Sequence, residues 1–218
     1  MKIFLFFCLF FYESACAQLI SASLPQPLSK HEKYLFYLHG GVVTVLGNNA
    51  INRSVPEWGP YEYLNILDSL RIRGFNIISE RRFESISDSI YIEKLYLQVD
   101  SLLKQDIDPA NILVVGASAG WHIAIHAAAK LKDNRINFVM MGGCWPETYK
   151  DYTHLELYGR FLSIIETSDR HGTCVKIFES RNFGTRFKEI TLNTGLSHGF
   201  FYKGRRAWID PLLDWYSR

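Results

Sequence analysis

The chain has 218 residues, a length that suits one domain with a short tail. Hydrophobic residues make up 48% and charged residues 21%, which excludes a disordered chain and a collagen-like repeat. Lys and Arg number 24 against 22 Asp and Glu, a net charge of +2 that excludes nucleic-acid binding driven by bulk charge, though not a local basic patch.

The first segment reads as a targeting signal and not as part of the fold. Met1-Lys2 is a short positive start, and Ile3 to Tyr12 is an apolar run in the size range of a signal-peptide core. The run is too short to cross a bilayer as a helix. Ala15-Cys16-Ala17 then gives an A-x-A pattern, so residues 1–17 are expected to be removed and a single domain, 18–218, to be secreted or periplasmic without a membrane span. Lipid attachment at Cys16 is the alternative. It is disfavoured by Glu13, which stands where a lipoprotein signal wants an aliphatic residue. Export removes Cys8 and Cys16 and leaves Cys144 and Cys174. An oxidising compartment allows that pair to bridge, the alternative being two separate buried thiols. Neither has a C-x-x-C neighbour, so no zinc site is suggested.

From there strands and helices alternate. Residues 18–32, with Pro25 and Pro27, form an extended lead-in. Lys33 to Leu38 is a strand that stops at His39-Gly40-Gly41. Tyr61 to Arg73 is a helix with Leu64, Leu67 and Leu70 three apart, ended by Gly74. Phe75 to Ser79 is the second strand. Asp88 to Lys104 is a long helix with an apolar face through Ile92, Leu95, Tyr96, Val99, Leu102 and Leu103, and Asp88 is placed to cap it. Ile112 to Val115 is the third strand, Ala119 to Leu131 an Ala-rich helix, and Ile136 to Met141 the fourth strand. Phe161 to Ile165 and Phe187 to Leu192 are the fifth and sixth, with a weaker helix over Cys174 to Ser180 between them. A last helix spans Arg205 to Tyr216, with Pro211 expected to interrupt or shift it. Short, continuously apolar strands alternating with helices predict an α/β fold with a mainly parallel sheet of about six strands covered on both faces, a three-layer sandwich.

One motif carries most of the chemistry. The third strand runs directly into Gly116-Ala117-Ser118-Ala119-Gly120, and a helix follows. A serine on so sharp a strand–turn–helix corner is held in a strained conformation. Its neighbours must be glycine to clear the adjacent strand and helix, and the turn lifts the hydroxyl to the carboxyl edge of the sheet. The helix amino terminus behind it favours developing negative charge.

On this element the chain resembles the α/β-hydrolase superfamily, from Lys33 to the C-terminus, as a compact member with a minimal cap. The resemblance implies a nucleophile, an acid and a histidine in that chain order. Ser118 resembles the nucleophile. Asp169, just past the fifth strand, matches the acid, with Glu166 as the alternative in the same loop. His198, in Ser197-His198-Gly199-Phe200 after the sixth strand, matches the histidine. His39-Gly40-Gly41 resembles the family's H-G-G turn, which makes the backbone N–H groups of Gly41 and Ala119 the expected oxyanion donors. Val42 stands where a third glycine would be, so either Gly41 or Val42 could be the donor. His39 is read as fixing this loop and not as catalytic. The implied activity is a serine hydrolase acting on a small-molecule acyl substrate, most simply a carboxylic ester, through an acyl-enzyme and with neither metal nor organic cofactor. Peptidase, thioesterase and acyltransferase chemistry, a non-catalytic binding protein on the same fold, and the oligomeric state all stay open.

Other residues are weighed and set aside. His122 and His126 are four apart on a helix, but H-E-x-x-H needs Glu where Ile123 stands, so they read as packing residues. Arg81 and Arg82 follow the second strand, and a loop salt bridge is the plainer reading than an anion site. Only 16 residues, Trp145 to Arg160, separate the fourth and fifth strands, too few for a large lid. The loop after His-Gly-Gly, Val42 to Trp58, is long enough to wall a pocket, with Trp58, Tyr61, Trp145 and Tyr149 as lining candidates.

Overall fold

The computed structural model describes residues 20–218 apart from 54, 56, 57, 180 and 182. The signal segment expected over 1–17 lies outside the described residues. Seven described strands form one wholly parallel sheet: β1 (Ile20–Ser21), β2 (Lys33–Leu38), β3 (Phe75–Ile78), β4 (Ile112–Ala117), β5 (Asn137–Met141), β6 (Arg160–Glu166) and β7 (Phe187–Leu192), in the order β1-β3-β2-β4-β5-β6-β7. The helices are α1 (Gly41–Leu46), α2 (Asn48–Asn52), α3 (Tyr63–Arg71), α4 (Asp88–Lys104), α5 (Gly120–Leu131), α6 (Tyr149–Tyr152), α7 (Val175–Phe178) and α8 (Arg206–Tyr216).

Alternation along the strands builds two cores, one on each face of the sheet. In β2, Tyr34 and Phe36 pack with α4 and α5, through Leu95, Val99, Trp121 and Ala124. Leu35 and Tyr37 face the other way, onto α3 and α8, through Ile66, Leu70, Trp208 and Leu212. All six residues of β4 are buried, so the central strand reads as one apolar run. Each aliphatic side chain so buried contributes about 1.5–3 kcal/mol.

Several local expectations are corrected. The sheet has a seventh strand, β1, within the lead-in; two residues are too few to leave a pattern. Ser87, not Asp88, caps α4, its hydroxyl accepting the Ser89 N–H at 3.3 Å. On α3, Leu64 is exposed, and the buried face is Tyr63, Ile66, Leu67 and Leu70. Pro211 does not interrupt α8, which runs unbroken as Trp208, Ile209, Leu212 and Trp215 bury one stripe of it. The segment after Gly41, expected as a loop, forms α1 and α2. As expected, no large cap is inserted after β5: among the described residues that segment holds a 3₁₀ turn, Pro146–Thr148, and the four-residue α6. No helix of the described residues is long and apolar enough to cross a membrane.

Because the strands are parallel, their carboxyl ends lie along one edge of the sheet. The turns after β2 and β4 and the loops after β5, β6 and β7 therefore meet there.

Candidate active site

Ser118 sits between β4 and α5 with φ +49°, the left-handed region that a residue with a side chain occupies at a cost on the order of 1–3 kcal/mol. Two features over-determine it. Its N–H donates to the Met141 carbonyl of β5 at 2.7 Å, and its carbonyl accepts the Trp121 N–H at 3.1 Å. The flanking glycines are required by space. A Cβ on Gly116 would stand 2.5 Å from the Trp121 Cα. One on Gly120 would stand 2.7 Å from the Leu38 carbonyl carbon and closer still to its oxygen. The turn thus presses β4, α5 and the end of β2 together and pushes the Ser118 hydroxyl outward.

Both other residues of the expected constellation reach it. His198 Nε2 lies 3.0 Å from Ser118 Oγ, and His198 Nδ1 lies 2.7 Å from Asp169 Oδ2. The carboxylate is an acceptor, so Nδ1 carries the proton and Nε2 is left to accept from the serine hydroxyl. His198 opens a 3₁₀ turn, His198–Tyr202, rather than standing in an open loop. The chain enters that turn through Ser197 at φ +51°. Rings from Trp58 and His171 pack on the imidazole with centroids 5.5 and 4.4 Å away.

The two carboxylates of the acid loop have separate jobs. Asp169 Oδ1 accepts the His171 backbone N–H at 3.1 Å while Oδ2 takes His198. Glu166 binds backbone of both the acid loop and the histidine loop. It accepts N–H groups of Ser168 at 2.8 Å, Thr194 at 2.7 Å and Gly195 at 3.1 Å, and the Ser168 hydroxyl. Burial alone would raise its pKa. The bonds from Ser168, Thr194 and Gly195 outweigh burial and hold it down to about 2. Geometry therefore places Asp169, and not Glu166, beside the histidine.

On the opposite side, the His39-Gly40-Gly41 turn leans on Ser118-Ala119. A Cβ on Gly40 would meet the Ser118 Cβ at 3.4 Å, and one on Gly41 the Ala119 Cβ at 3.3 Å. The Gly40 N–H is taken by the Tyr61 hydroxyl at 3.2 Å, which in turn bonds Tyr37 at 2.7 Å. Gly41 and Val42 open α1, where the helix itself does not satisfy the first amides. His39 is fully buried and holds the turn. Its Nδ1–H donates to the Gly40 carbonyl at 2.9 Å and its Nε2 accepts the Arg82 N–H at 2.8 Å. Burial first, then the Arg82 charge, pushes its pKa down to about 3, so the ring is neutral. The Arg82 guanidinium bonds the His39 carbonyl, and Arg81 bonds Asn48. Both arginines are expected to form salt bridges; instead both donate to neutral acceptors, Arg82 bracing the turn and Arg81 the start of α2.

An open cleft of about 620 Å³ lies over Ser118 and His198. Gly41, Val42 and Ala119 line one wall, the serine side, and Trp145, Glu147, Arg170, His171 and Tyr202 the other, the acid–histidine side, with Trp58 packed on His198. Trp58 and Trp145 are the two lining candidates that reach the cleft. Tyr61 is buried beneath the turn, and Tyr149 instead donates its hydroxyl to the Thr173 carbonyl. His171 was missed in the sequence, although its place two residues after Asp169 is a usable signal. Burial, then His198, lowers its pKa to about 4. His122 and His126 lie on α5 away from the cleft, with His122 Nδ1 3.0 Å from the Tyr152 hydroxyl, as packing residues do.

Cys144 and Cys174 form a disulfide with Cα atoms 5.1 Å apart. It ties the loop after β5 to the loop that carries Asp169 and His171, beside a bridge between Cys144 and Gly172.

No protein-family model matches the sequence, and no curated protein sequence matches it either. Solved structures do match the fold. A serine hydrolase without a lid from Xanthomonas campestris superposes with a TM-score of 0.53 at 14% identity, over 89% of this chain and 84% of that one. A structure reported with activity profiles of carboxylesterases from the ammonia-oxidizing thaumarchaeon Nitrososphaera gargenis gives a TM-score of 0.51 at 12% identity, over 87% and 91%. The chain has the α/β-hydrolase fold. A puromycin-hydrolyzing peptidase from Mycobacterium tuberculosis shares that fold with a TM-score of 0.53 at 16% identity, over 88% of this chain and 34% of the larger protein. At these identities the α/β-hydrolase likeness is one of architecture, and the chemistry must be argued from this chain's own residues.

Proposed function

We propose that the protein is an exported serine hydrolase, most simply a carboxylic-ester hydrolase. The observation that carries this reading is the continuous relay Ser118–His198–Asp169, at 3.0 and 2.7 Å, under an open cleft. His198 Nε2 takes the Ser118 proton as the oxygen attacks an acyl carbonyl, and Asp169 holds the ring and offsets its charge. The amides of Gly41 and Ala119, two residues that lie against each other in the cleft lining, stabilise the oxyanion. His198 then passes the proton to the leaving group. Water attacks the acyl-enzyme with His198 again as base, and Ser118 is regenerated. None of these steps calls on a metal or an organic cofactor.

An open cleft with no covering lid among the described residues favours small, water-accessible acyl compounds over lipid packed in a membrane. The Cys144–Cys174 disulfide supports the exported destination, since such bonds persist in oxidising compartments.

The test is fluorophosphonate labelling together with turnover of p-nitrophenyl acetate and butyrate. The wild type should label and turn over. Ser118→Ala and His198→Ala should do neither, and Asp169→Asn should lower kcat about ten-thousandfold with its fold intact. A folded wild type that neither labels nor turns over would overturn the hydrolase reading in favour of a non-catalytic binding protein.

A further inference from the structure

The second histidine of the cleft has no part in the relay just described, yet it completes a cluster. Asp169, His171 and His198 each present a ligand atom, and the three atoms lie within 4.8 Å of one another. His198 Nδ1 is 2.7 Å from Asp169 Oδ2, and His171 Nε2 is 4.0 Å from Asp169 Oδ1. The two rings stand edge to face at 4.4 Å, both turned toward the carboxylate between them.

We propose that Asp169, His171 and His198 form a binding site for a divalent transition-metal ion of the zinc class, and that its occupation switches the hydrolase off. Two imidazoles and one carboxylate are a donor set that zinc accepts in a tetrahedral arrangement, with the fourth position left to water. Ligand atoms at about 2.0–2.1 Å from a tetrahedral zinc stand roughly 3.3 Å from each other. The widest pair here has to close by about 1.5 Å, shared between two side chains, and the closest has to open by about 0.6 Å. His171 lines the cleft, which gives an ion a path in, and Glu147 on the same wall offsets the positive charge of neighbouring Arg170.

The chemical consequence is specific. In the resting relay His198 carries its proton on Nδ1 and accepts at Nε2. A metal on Nδ1 needs the lone pair there, so the proton passes through solvent to Nε2. The ring stays neutral and no proton is lost overall, but Nε2 is now a donor. It can no longer take the proton of Ser118, and Asp169 is drawn to the metal and away from its role as orienter. The site thus trades a general base for a metal ligand without unfolding anything.

The metal site can be tested apart from catalysis, whereas the inhibitory half rests on the hydrolase reading. The experiment is zinc binding to the purified protein by equilibrium dialysis against zinc chloride, carried out on Ser118→Ala so that turnover plays no part. One zinc per chain is expected. His171→Ala and, as the gentler change, His171→Gln should weaken binding about tenfold or more, while the double variant His122→Ala/His126→Ala should bind as before. In parallel, zinc should abolish ester turnover of the wild type, a chelator should restore it, and His171→Gln should need about tenfold more zinc for half inhibition, whatever its own rate. Absence of binding, binding indifferent to His171, or binding that disappears with His122 and His126 would overturn the proposal. Zinc bound through His171 by a protein that hydrolyses nothing would uphold the site and refute only the catalytic reading.

Discussion

The two walls of the cleft are built by different physics. On the serine side, Gly116, Gly120, Gly40 and Gly41 let backbones touch, and Ser118 is held by main-chain bonds and by a buried brace of His39, Arg82 and Tyr61. On the acid–histidine side, the loops after β5, β6 and β7 meet. They are held by a carboxylate that collects amides, by aromatic rings and by a disulfide. The first arrangement resists change because it is crowded, the second because it is cross-linked. Failures on the two sides should therefore look different: steric damage should unfold the protein, and lost cross-links should loosen it.

The largest effect is expected where crowding is greatest. Gly120→Ala puts a methyl group against the Leu38 carbonyl, with no flexible side chain to yield. The adjacent strand and the start of α5 would have to separate, a loss of about 3–5 kcal/mol on the scale of severe core disruptions. The check is the urea midpoint of unfolding. A variant within about 1 kcal/mol of wild type would show the serine side to be more compliant than its crowding implies.

Next comes the cross-link. Replacing Cys144 and Cys174 by serine frees a loop closed over 30 residues, worth about 3–4 kcal/mol by chain entropy. Because the bond anchors the loop bearing Asp169, kcat should fall with stability, whereas KM for a small ester should move less. Equal stability of the oxidised and reduced wild-type protein in thermal unfolding would contradict the assignment of that wall to cross-linking.

Glu166→Gln is the finer probe of the same wall. It keeps the shape but turns an amide N–H₂ toward backbone donors and removes charge-assisted bonds, at a cost of about 1.5–3 kcal/mol near neutral pH. A carboxyl held near 2 in the fold against an ordinary 4.5 contributes stability above about 4.5, and loses it as pH falls toward 2. The gap between wild type and variant should therefore narrow over that window. The same variant should stay active where Asp169→Asn does not, which separates the carboxylate that holds the loop amides from the one that holds His198.

This contrast also explains what could be read in advance. The serine side was legible because crowding leaves a local signature: glycines at fixed offsets around Ser118, and a His-Gly-Gly turn directly after a strand. The alternation of apolar runs likewise placed six of the seven described strands. The other wall depends on contacts between segments distant in the chain. Asp169 and Glu166 are three residues apart where β6 runs into its loop, and the partners that separate them, Thr194 and Gly195 for Glu166 and His198 for Asp169, lie nearly thirty residues on. Pairing of Cys144 with Cys174 needed a distance no sequence supplies. His171 went unseen because its neighbours in space, Trp145 and His198, lie in other loops.

The smallest effect distinguishes the walls by pH. His39, at the root of the serine side, is buried and neutral with a pKa near 3 against an ordinary 6.5. Between these values the unfolded chain takes up a proton that the native chain refuses. Stability is therefore full above about 6.5 and is lost on acidification, by up to about 1.4 kcal/mol per pH unit for one such site. His171, with a pKa near 4, adds to the same slope over much of the window. His39→Asn should be less stable at pH 7.5 by about 1–3 kcal/mol, since the Arg82 N–H and the Gly40 carbonyl lose their shared partner. Its stability should nevertheless fall less steeply between pH 6 and 4.5, by the worth of about one proton. Urea unfolding at several pH values measures both. An unchanged slope would mean that His39 is protonated in the native protein. The turn beside Ser118 would then carry a buried positive charge next to Arg82, and the neutral brace described for the serine side would have to be abandoned.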